Sequence, residues 1–183
     1  MAFKTLTSFE TLALPVAPGI ANVPYVQQGF FLQVSNLENK NVHVDLEYIA
    51  TPAFVEASGA AKLFTNIIDQ TGVPAQYPTA TFLTAPVGFK AQVIPAHSTW
   101  LLGVQYLLLP PPPPTLTAAT GGTPQDSAEA RGVVRIQASA GSKLLLLATV
   151  RQVFNDFDPA GVLIDIAESA YAVPLVGGPE HSF

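Results

Sequence analysis

The sequence predicts an all-β fold, an antiparallel β-sandwich of immunoglobulin-like or jelly-roll type. Three observations support this prediction: short runs in which apolar and polar residues alternate, turn-forming residues between these runs, and 17 prolines. Each proline removes a main-chain donor and clashes with the preceding helical turn, so a proline-rich chain disfavours helices. Since 183 residues suffice for one buried core, we predict an N-terminal arm at residues 1–24 and a single sandwich domain at residues 25–183.

The N-terminal arm is apolar and is separated from the following domain by Pro15, Pro18 and Pro24. Prolines at these positions allow a strand to leave its own domain. The strand could then pair with the edge of a neighbouring subunit through main-chain hydrogen bonds, with its alternate side chains in pockets. A strand that folds back on its own sandwich explains the pattern equally well. The residues that would carry assembly in the first arrangement are Phe3, Leu6, Phe9, Leu12 and Leu14.

The clearest strand signal lies between residues 30 and 48. Phe30–Val34 is followed by the polar residues 35–41 and then by Val42–Tyr48, in which apolar residues take every second position. A period of two is typical of a strand with one buried face. We predict that the two runs form a β-hairpin with a polar loop, and that Asp45 and Glu47 hydrate its exposed face.

Further strands are predicted wherever an apolar run lies between turn residues, and many short strands of this kind are typical of a sandwich or barrel. They are Lys62–Ile68, Phe89–Ile94, Thr99–Leu109, Gly132–Ala138, Lys143–Phe154, Val162–Ile166 and Ala170–Val176. Residues 110–130 open with five prolines and continue through Thr, Ala and Gly. We predict a long exposed loop there, whose proline run favours a stiff extended conformation.

Composition favours self-association. Hydrophobic residues make up 49% of the chain and charged residues 11%, against about 25% charged residues in an average soluble domain. Because monomers seldom expose large apolar patches, we expect apolar surface to be buried between copies of the chain. Leu144–Leu147 and Leu107–Leu109 support this expectation, since both faces of each predicted strand are apolar, as in a strand covered by two layers or by a partner subunit.

Charge and hydropathy disfavour two other kinds of partner. The net charge is −5, from eight Lys and Arg against 13 Asp and Glu, and no basic cluster would neutralise successive phosphates of a nucleic acid. The longest apolar run, Trp100–Leu109, is shorter than the roughly 20 residues of a transmembrane helix. Lys4 is followed by polar residues where a conventional signal peptide is apolar. We expect an extracellular, cell-surface or virion location reached without such a peptide.

The sequence contains no motif of a known catalytic site. His43, His97 and His181 each lie outside the arrangements that activate a nucleophile, and we interpret all three as exposed polar residues. G-x-S-x-G, H-E-x-x-H, P-loop and G-x-G-x-x-G patterns are absent from the sequence. With 13 acidic residues, a pair of carboxylates can always be named, so their number is not evidence for a glycosidase. We therefore predict that the protein is not an enzyme.

Two ligand hypotheses remain. Asn155, Asp156 and Asp158 supply closely spaced oxygen ligands that suit calcium, although Asn and Asp are also ordinary turn residues. Trp100 and Tyr106 could stack on a sugar or peptide if an open face displayed them, although aromatic residues in an apolar strand more often belong to the core. No other cofactor is expected, and the absence of cysteine excludes a thiolate zinc site.

The last third of the chain resembles the strand-turn-strand patterns of bacterial immunoglobulin-like surface domains. The residues that carry this resemblance are ARGVVRIQAS at Ala130–Ser139, LLLLATVRQVF at Leu144–Phe154, and Ala170–Leu175. It implies a surface or scaffold role. With the composition, it leads us to predict a structural subunit that forms a homopolymer, such as an extracellular filament, a surface layer or a virion shell. The alternative is a secreted or surface module that binds carbohydrate or peptide.

Overall fold

The computed structural model describes residues 2–16, 24–50, 61–72, 74–78, 87–108, 128–157 and 163–183. These residues form an all-β fold in which every paired strand is antiparallel, as predicted. The strands are β1 (Lys4–Pro15), β2 (Tyr25–Asn36), β3 (Val42–Ala50), β4 (Ala61–Ile68), β5 (Pro74–Pro78), β6 (Val87–Ile94), β7 (Thr99–Leu108), β8 (Ala128–Ala138), β9 (Lys143–Phe157), β10 (Leu163–Val173) and β11 (Glu180–Ser182). Among the described residues, no helix is long and apolar enough to cross a membrane.

The strands belong to one sheet that curls into a half-barrel. Its main path runs β5-β4-β7-β2-β1-β8-β3-β6, and β9 pairs with β2 while also holding β10 and β11. The strands divide into two groups at the pairing of β1 with β2. We call them the β2 half, formed by β5, β4, β7, β2, β9, β10 and β11, and the β3 half, formed by β1, β8, β3 and β6.

Aromatic side chains fill the space between the two halves. The Tyr48 ring of β3 lies edge-on to Phe9 of β1, at 5.2 Å between centroids, and to Phe30 of β2, at 6.1 Å. Phe89 of β6 contacts Tyr48 in the same manner. Edge-to-face pairs of this kind add about 0.5–1.5 kcal/mol each beyond the burial of their area, so this cluster holds the curl of the sheet.

Thr11 occupies the point at which the two halves diverge. One edge of β2 pairs with β1 through Tyr25–Gln28 and with β7 from Gly29 onward. At this change of partner the buried Thr11 hydroxyl donates to the carbonyl of Gln28 at 2.6 Å and accepts from the amide of Tyr106 at 3.1 Å. The hydroxyl thus replaces the main-chain hydrogen bonds that the diverging strands cannot make to each other.

The predicted hairpin between residues 30 and 48 is wrong. The alternation in Val42–Tyr48 holds, because its apolar residues are buried. However, β2 pairs with β1, β7 and β9, whereas β3 pairs with β6 and β8. The buried Asn36 explains the difference, since its side-chain amide donates to the carbonyls of Lys40, Ile94 and Pro95 at 2.8–3.0 Å. These bonds direct the polar loop across to the other half of the sheet.

Several predicted boundaries also move. The strand predicted to end at Phe154 continues to Phe157, and the two strands predicted from residue 162 onward form the single strand β10. The predicted loop at 110–130 ends earlier, because β8 begins at Ala128, and its residues 110–127 lie outside the described residues. In the predicted arm, β1 pairs with β8 and β2 of its own chain.

Candidate functional site

The edges of the sheet differ in how they are protected from pairing with another chain. Among the described strands, β5 pairs only with β4, β6 only with β3, and β10 only with β9. β5 has five residues and both begins and ends at a proline, two features that discourage added strands. β6 and β10 are longer, and their different surroundings define the candidate sites.

The β6 edge carries a buried ion cluster. Glu47 of β3 is 4% exposed, and its carboxylate accepts hydrogen bonds from Lys90 of β6 and from Arg135 of β8, the latter at 2.7 Å. Both cations also lie over the ring of Phe3, at 5.3 and 5.2 Å from its centroid. Burial acts to raise the pKa of Glu47, but the bonds and charges of the two cations outweigh it and lower that pKa below the ordinary value.

A bulge adds to the protection of this edge. Lys90 and Ala91 of β6 lie opposite Asp45 alone, since the register shifts between Val44 and Leu46. Ala91 has a φ of 52°, a left-handed conformation that costs a residue with a side chain about 1–2 kcal/mol. The Asp45 carboxylate holds the bulge by accepting a hydrogen bond from the Ala91 amide at 2.6 Å. Asp45 and Glu47 thus both have structural partners instead of merely hydrating the sheet.

The β10 edge lacks comparable protection. This strand has 11 residues, and its register shift lies near its start, between Asp165 and Ala167. From Ala167 to Val173 the pairing with β9 is regular, and the segment contains no Lys, Arg or Pro. Tyr171 is 49% exposed. The one charged residue of this segment is the exposed Glu168, so this edge carries fewer of the features that oppose strand addition than β6 does.

The outer face of β9 presents leucines to solvent. Leu144 and Leu146 are buried in the core, whereas Leu145 and Leu147 are 37% and 45% exposed. Phe31 on the same outer face of the β2 half is buried, with the guanidinium of Arg151 over its ring at 4.6 Å. The two outer leucines have no such cover among the described residues, so they form an apolar surface on a strand that is apolar on both faces.

A groove of about 530 Å³ lies between β1 and the inner faces of β9 and β10. Phe9, Val150, Tyr171 and Val173 supply its apolar lining, and Ser8, Glu10, Gln28, Arg131 and Gly132 complete it. At one end, polar side chains bridge three strands: the amide of Gln152 donates to Gln28, and the Ser169 hydroxyl donates to Gln152 at 3.2 Å. The groove is open to solvent and combines apolar with hydrogen-bonding groups.

The structure distributes the predicted assembly residues over the protein's own core and surface. Leu6 and Phe9 are buried between the two halves. Leu12 and Leu14 are half-buried on β1, and Phe3 lies beside the ion cluster. In the structure β1 therefore has the arrangement in which the strand folds back on its own sheet.

The predicted ligand residues are placed separately. Trp100 packs against the core from its rim and donates its indole N–H to Gln70 at 2.7 Å, while Tyr106 is fully buried. Asn155 is buried within β9 and accepts a hydrogen bond from Gln27, so the strand occupies part of the predicted calcium turn. Asp158 lies outside the described residues. Within the described ranges, no group of three or more His, Asp or Glu side chains could hold a metal ion.

Sequence reasoning missed the buried polar residues. His181, interpreted as exposed, is 9% exposed, and its Nε2 lies 2.8 Å from the carbonyl of Gly178. The groove residues Glu10, Gln28 and Tyr171 form no sequence motif, because β1, β2 and β10 bring them together only in the folded sheet. The alternation in β3 placed Glu47 on the face opposite the apolar residues, but it gave no sign of the cations of β6 and β8 that bond to it.

Comparisons with known proteins give no family. No protein-family model and no curated protein matches the chain. Among solved structures, Clostridium perfringens delta-toxin is similar over 93% of this chain and 88% of that chain, at 9% sequence identity and a TM-score of 0.17. A similarity this low carries no argument about fold or function.

Proposed function

We propose that the protein is a non-enzymatic structural subunit that self-assembles. The observation that carries this proposal is the unprotected edge of β10. Along Ala167–Val173, the main-chain groups directed away from β9 have no partner strand among the described residues, over about 23 Å at 3.3 Å per residue. A second copy of the chain presents the same edge. Two β10 strands can therefore pair antiparallel about a two-fold axis, which joins the β2 halves of two subunits into one continuous sheet.

A two-fold contact through β10 closes at a dimer, so a larger assembly needs a second contact. Leu145 and Leu147 on the outer face of β9 supply apolar surface for it. Burying this surface gains about 25 cal/mol for each Å² removed from water. A stable interface buries about 1,600 Å². The homopolymer of this proposal is an extracellular filament, a surface layer or a virion shell.

We also propose that the curled sheet is a sandwich whose layers are the β2 half and the β3 half. The aromatic cluster of Phe9, Phe30, Tyr48 and Phe89 supports this arrangement, because it joins residues of β1, β3 and β6 to one of β2. A second candidate function, a module that binds peptide or carbohydrate, is favoured by the groove between β1 and β10.

Light scattering on a sizing column and negative-stain electron microscopy test the assembly. We expect the wild type to elute as a dimer or larger, well above 19.3 kDa. Ala170→Lys combined with Ala172→Lys should abolish assembly, because lysine on an edge strand opposes pairing, and the variant should remain folded as a monomer. Val176→Lys, at a residue that is 65% exposed beyond the end of β10, is the matched control and should assemble normally.

Leu147→Ser separates the two contacts. If the outer face of β9 extends the assembly, this variant should stop at the dimer, with β10 pairing intact. A wild-type protein that is monomeric at micromolar concentration would refute the assembly proposal. Assembly that persists in the double lysine variant would show that β10 is not the contact.

A further inference from the structure

β1 has one fully paired edge and one partly empty edge. β8 pairs with β1 from Lys4 to Ala13, whereas β2 reaches the other edge only from Leu12 to Pro15. Near the start of this second edge, the Leu6 carbonyl accepts a hydrogen bond from the amide of Val176 at 2.7 Å. Between Leu6 and Leu12, none of the described strands pairs with it.

Main-chain groups of β1 point into this gap. The carbonyl of Glu10 accepts a hydrogen bond from the side-chain amide of Gln28 at 3.1 Å, which shows that Glu10 directs its main-chain groups away from β8. Alternate residues of a strand direct these groups to the same side, so Ser8 does the same. A glutamine side chain therefore takes the position that a neighbouring strand would otherwise fill.

The gap opens onto an apolar floor. The groove of about 530 Å³ beside Ser8 and Glu10 is bounded below by Val150, Tyr171 and Val173. Val150 of β9 pairs with Tyr171 of β10, and Val173 lies two residues further along β10. A chain lying along β1 would direct every second side chain onto this floor. The Tyr171 ring offers a large apolar contact there, with a hydroxyl at its tip.

The rim of the groove carries an uncompensated negative charge. The described polar partner of the Glu10 carboxylate is the neutral amide of Gln28, at 3.3 Å. Arg131, the cation that also lines the groove, is bonded to Glu129 at 2.6 Å. A basic side chain on a bound ligand would therefore find Glu10 available as its partner.

We propose that this groove binds an extended, basic peptide segment of a partner protein, which adds to β1 as a strand. The main-chain groups of Ser8 and Glu10 recognise a peptide backbone, and the apolar floor accepts alternate side chains. The chain's own segment at Pro174–Val176 already contacts this edge: the Thr7 hydroxyl donates to the carbonyl of Pro174 at 2.9 Å, next to the Leu6–Val176 bond. The site adjoins the β10 contact proposed between copies, since Tyr171 and Val173 of that strand also line the groove.

Binding is tested with short capped peptides in which valine alternates with lysine or with glutamate, using fluorescence anisotropy. We expect the lysine peptide to bind and the glutamate peptide to bind more weakly. A lysine peptide N-methylated at every residue should not bind, because methylation removes the main-chain donors on both edges of the peptide. Hydrogen exchange followed by mass spectrometry should show that the lysine peptide protects the segment of β1 that contains Ser8 and Glu10.

Substitutions in the groove test which side chains contact the bound peptide. Tyr171→Ala should weaken binding of the lysine peptide about tenfold, as truncation of an aromatic anchor does, and Glu10→Gln should weaken it about threefold. Ile164→Ala, on the same strand but outside the groove, should bind as the wild type does. The proposal is overturned if the N-methylated peptide binds equally well, if both groove variants bind normally, or if cellohexaose protects β1 while the peptides do not.

Discussion

The edges at β6 and β10 have the same backbone chemistry but opposite surroundings. At β6, a bulge interrupts the strand, and Lys90 is held by the buried Glu47 carboxylate of the neighbouring β3. At β10, seven regularly paired residues lie open, and none of them is a Lys, Arg or Pro. Since an open edge is an aggregation hazard that natural proteins usually suppress, the proposed assembly rests on this one segment of the sheet.

The two edges should differ most in how much the free energy of unfolding falls when a carboxylate is replaced by a neutral amide. Glu47→Gln leaves Lys90 and the half-buried Arg135 without their counter-charge, so we expect the free energy of unfolding to fall by about 2 kcal/mol. The matched control, Glu168→Gln, changes an exposed carboxylate on β10 and should alter stability by less than about 0.5 kcal/mol. Urea denaturation measures both, and equal effects would contradict the assignment of the ion cluster as a structural device.

The sequence predicts the strands better than it predicts their partners. The alternation over Val42–Tyr48 shows which face of the strand is buried, because successive side chains of a strand point to opposite faces of the sheet. Pairing depends on distant contacts. Glu47 meets Lys90 and Arg135, which lie 43 and 88 residues away in the sequence, and Asn36 redirects a loop whose polar residues otherwise predict a hairpin.

The candidate sites were less accessible to sequence reasoning for the same reason. Leu144–Leu147 correctly indicated a strand with two apolar faces, since its alternate leucines are either buried or exposed. The open edge of β10 follows from the topology, because β10 pairs with β9 alone among the described strands. The same sequence between two neighbouring strands would have no open edge. The groove combines residues from β1, β2, β8, β9 and β10, so no local sequence pattern predicts it.

Acid should weaken the ion cluster at β6. Because the pKa of Glu47 is lower in the folded protein than in the unfolded chain, its ionised form stabilises the fold. This contribution is complete above the unfolded-state pKa, about 4.3, and disappears as the pH falls through the lower folded-state value. The stability of Glu47→Gln should therefore fall less steeply than that of the wild type below about pH 5.

Parallel urea titrations between neutral and acidic pH measure this dependence. The Glu168→Gln variant serves again as the control, and its curve should follow that of the wild type. Superimposable curves for Glu47→Gln and the wild type would mean that the cations do not stabilise the ionised carboxylate.

The smallest expected effect is the change in stability when alanine is replaced by glycine at each of the two edges. Ala91→Gly should stabilise the protein by about 0.5 kcal/mol, because glycine removes the cost of a left-handed conformation but loses more entropy on folding. Ala172→Gly in the regular part of β10 gains nothing and should destabilise by about 0.5–1 kcal/mol. Opposite signs in thermal and urea unfolding would show that β6 retains a strained bulge where β10 has an ordinary strand. If both variants destabilise equally, the bulge carries no strain, and the ion cluster alone distinguishes the two edges.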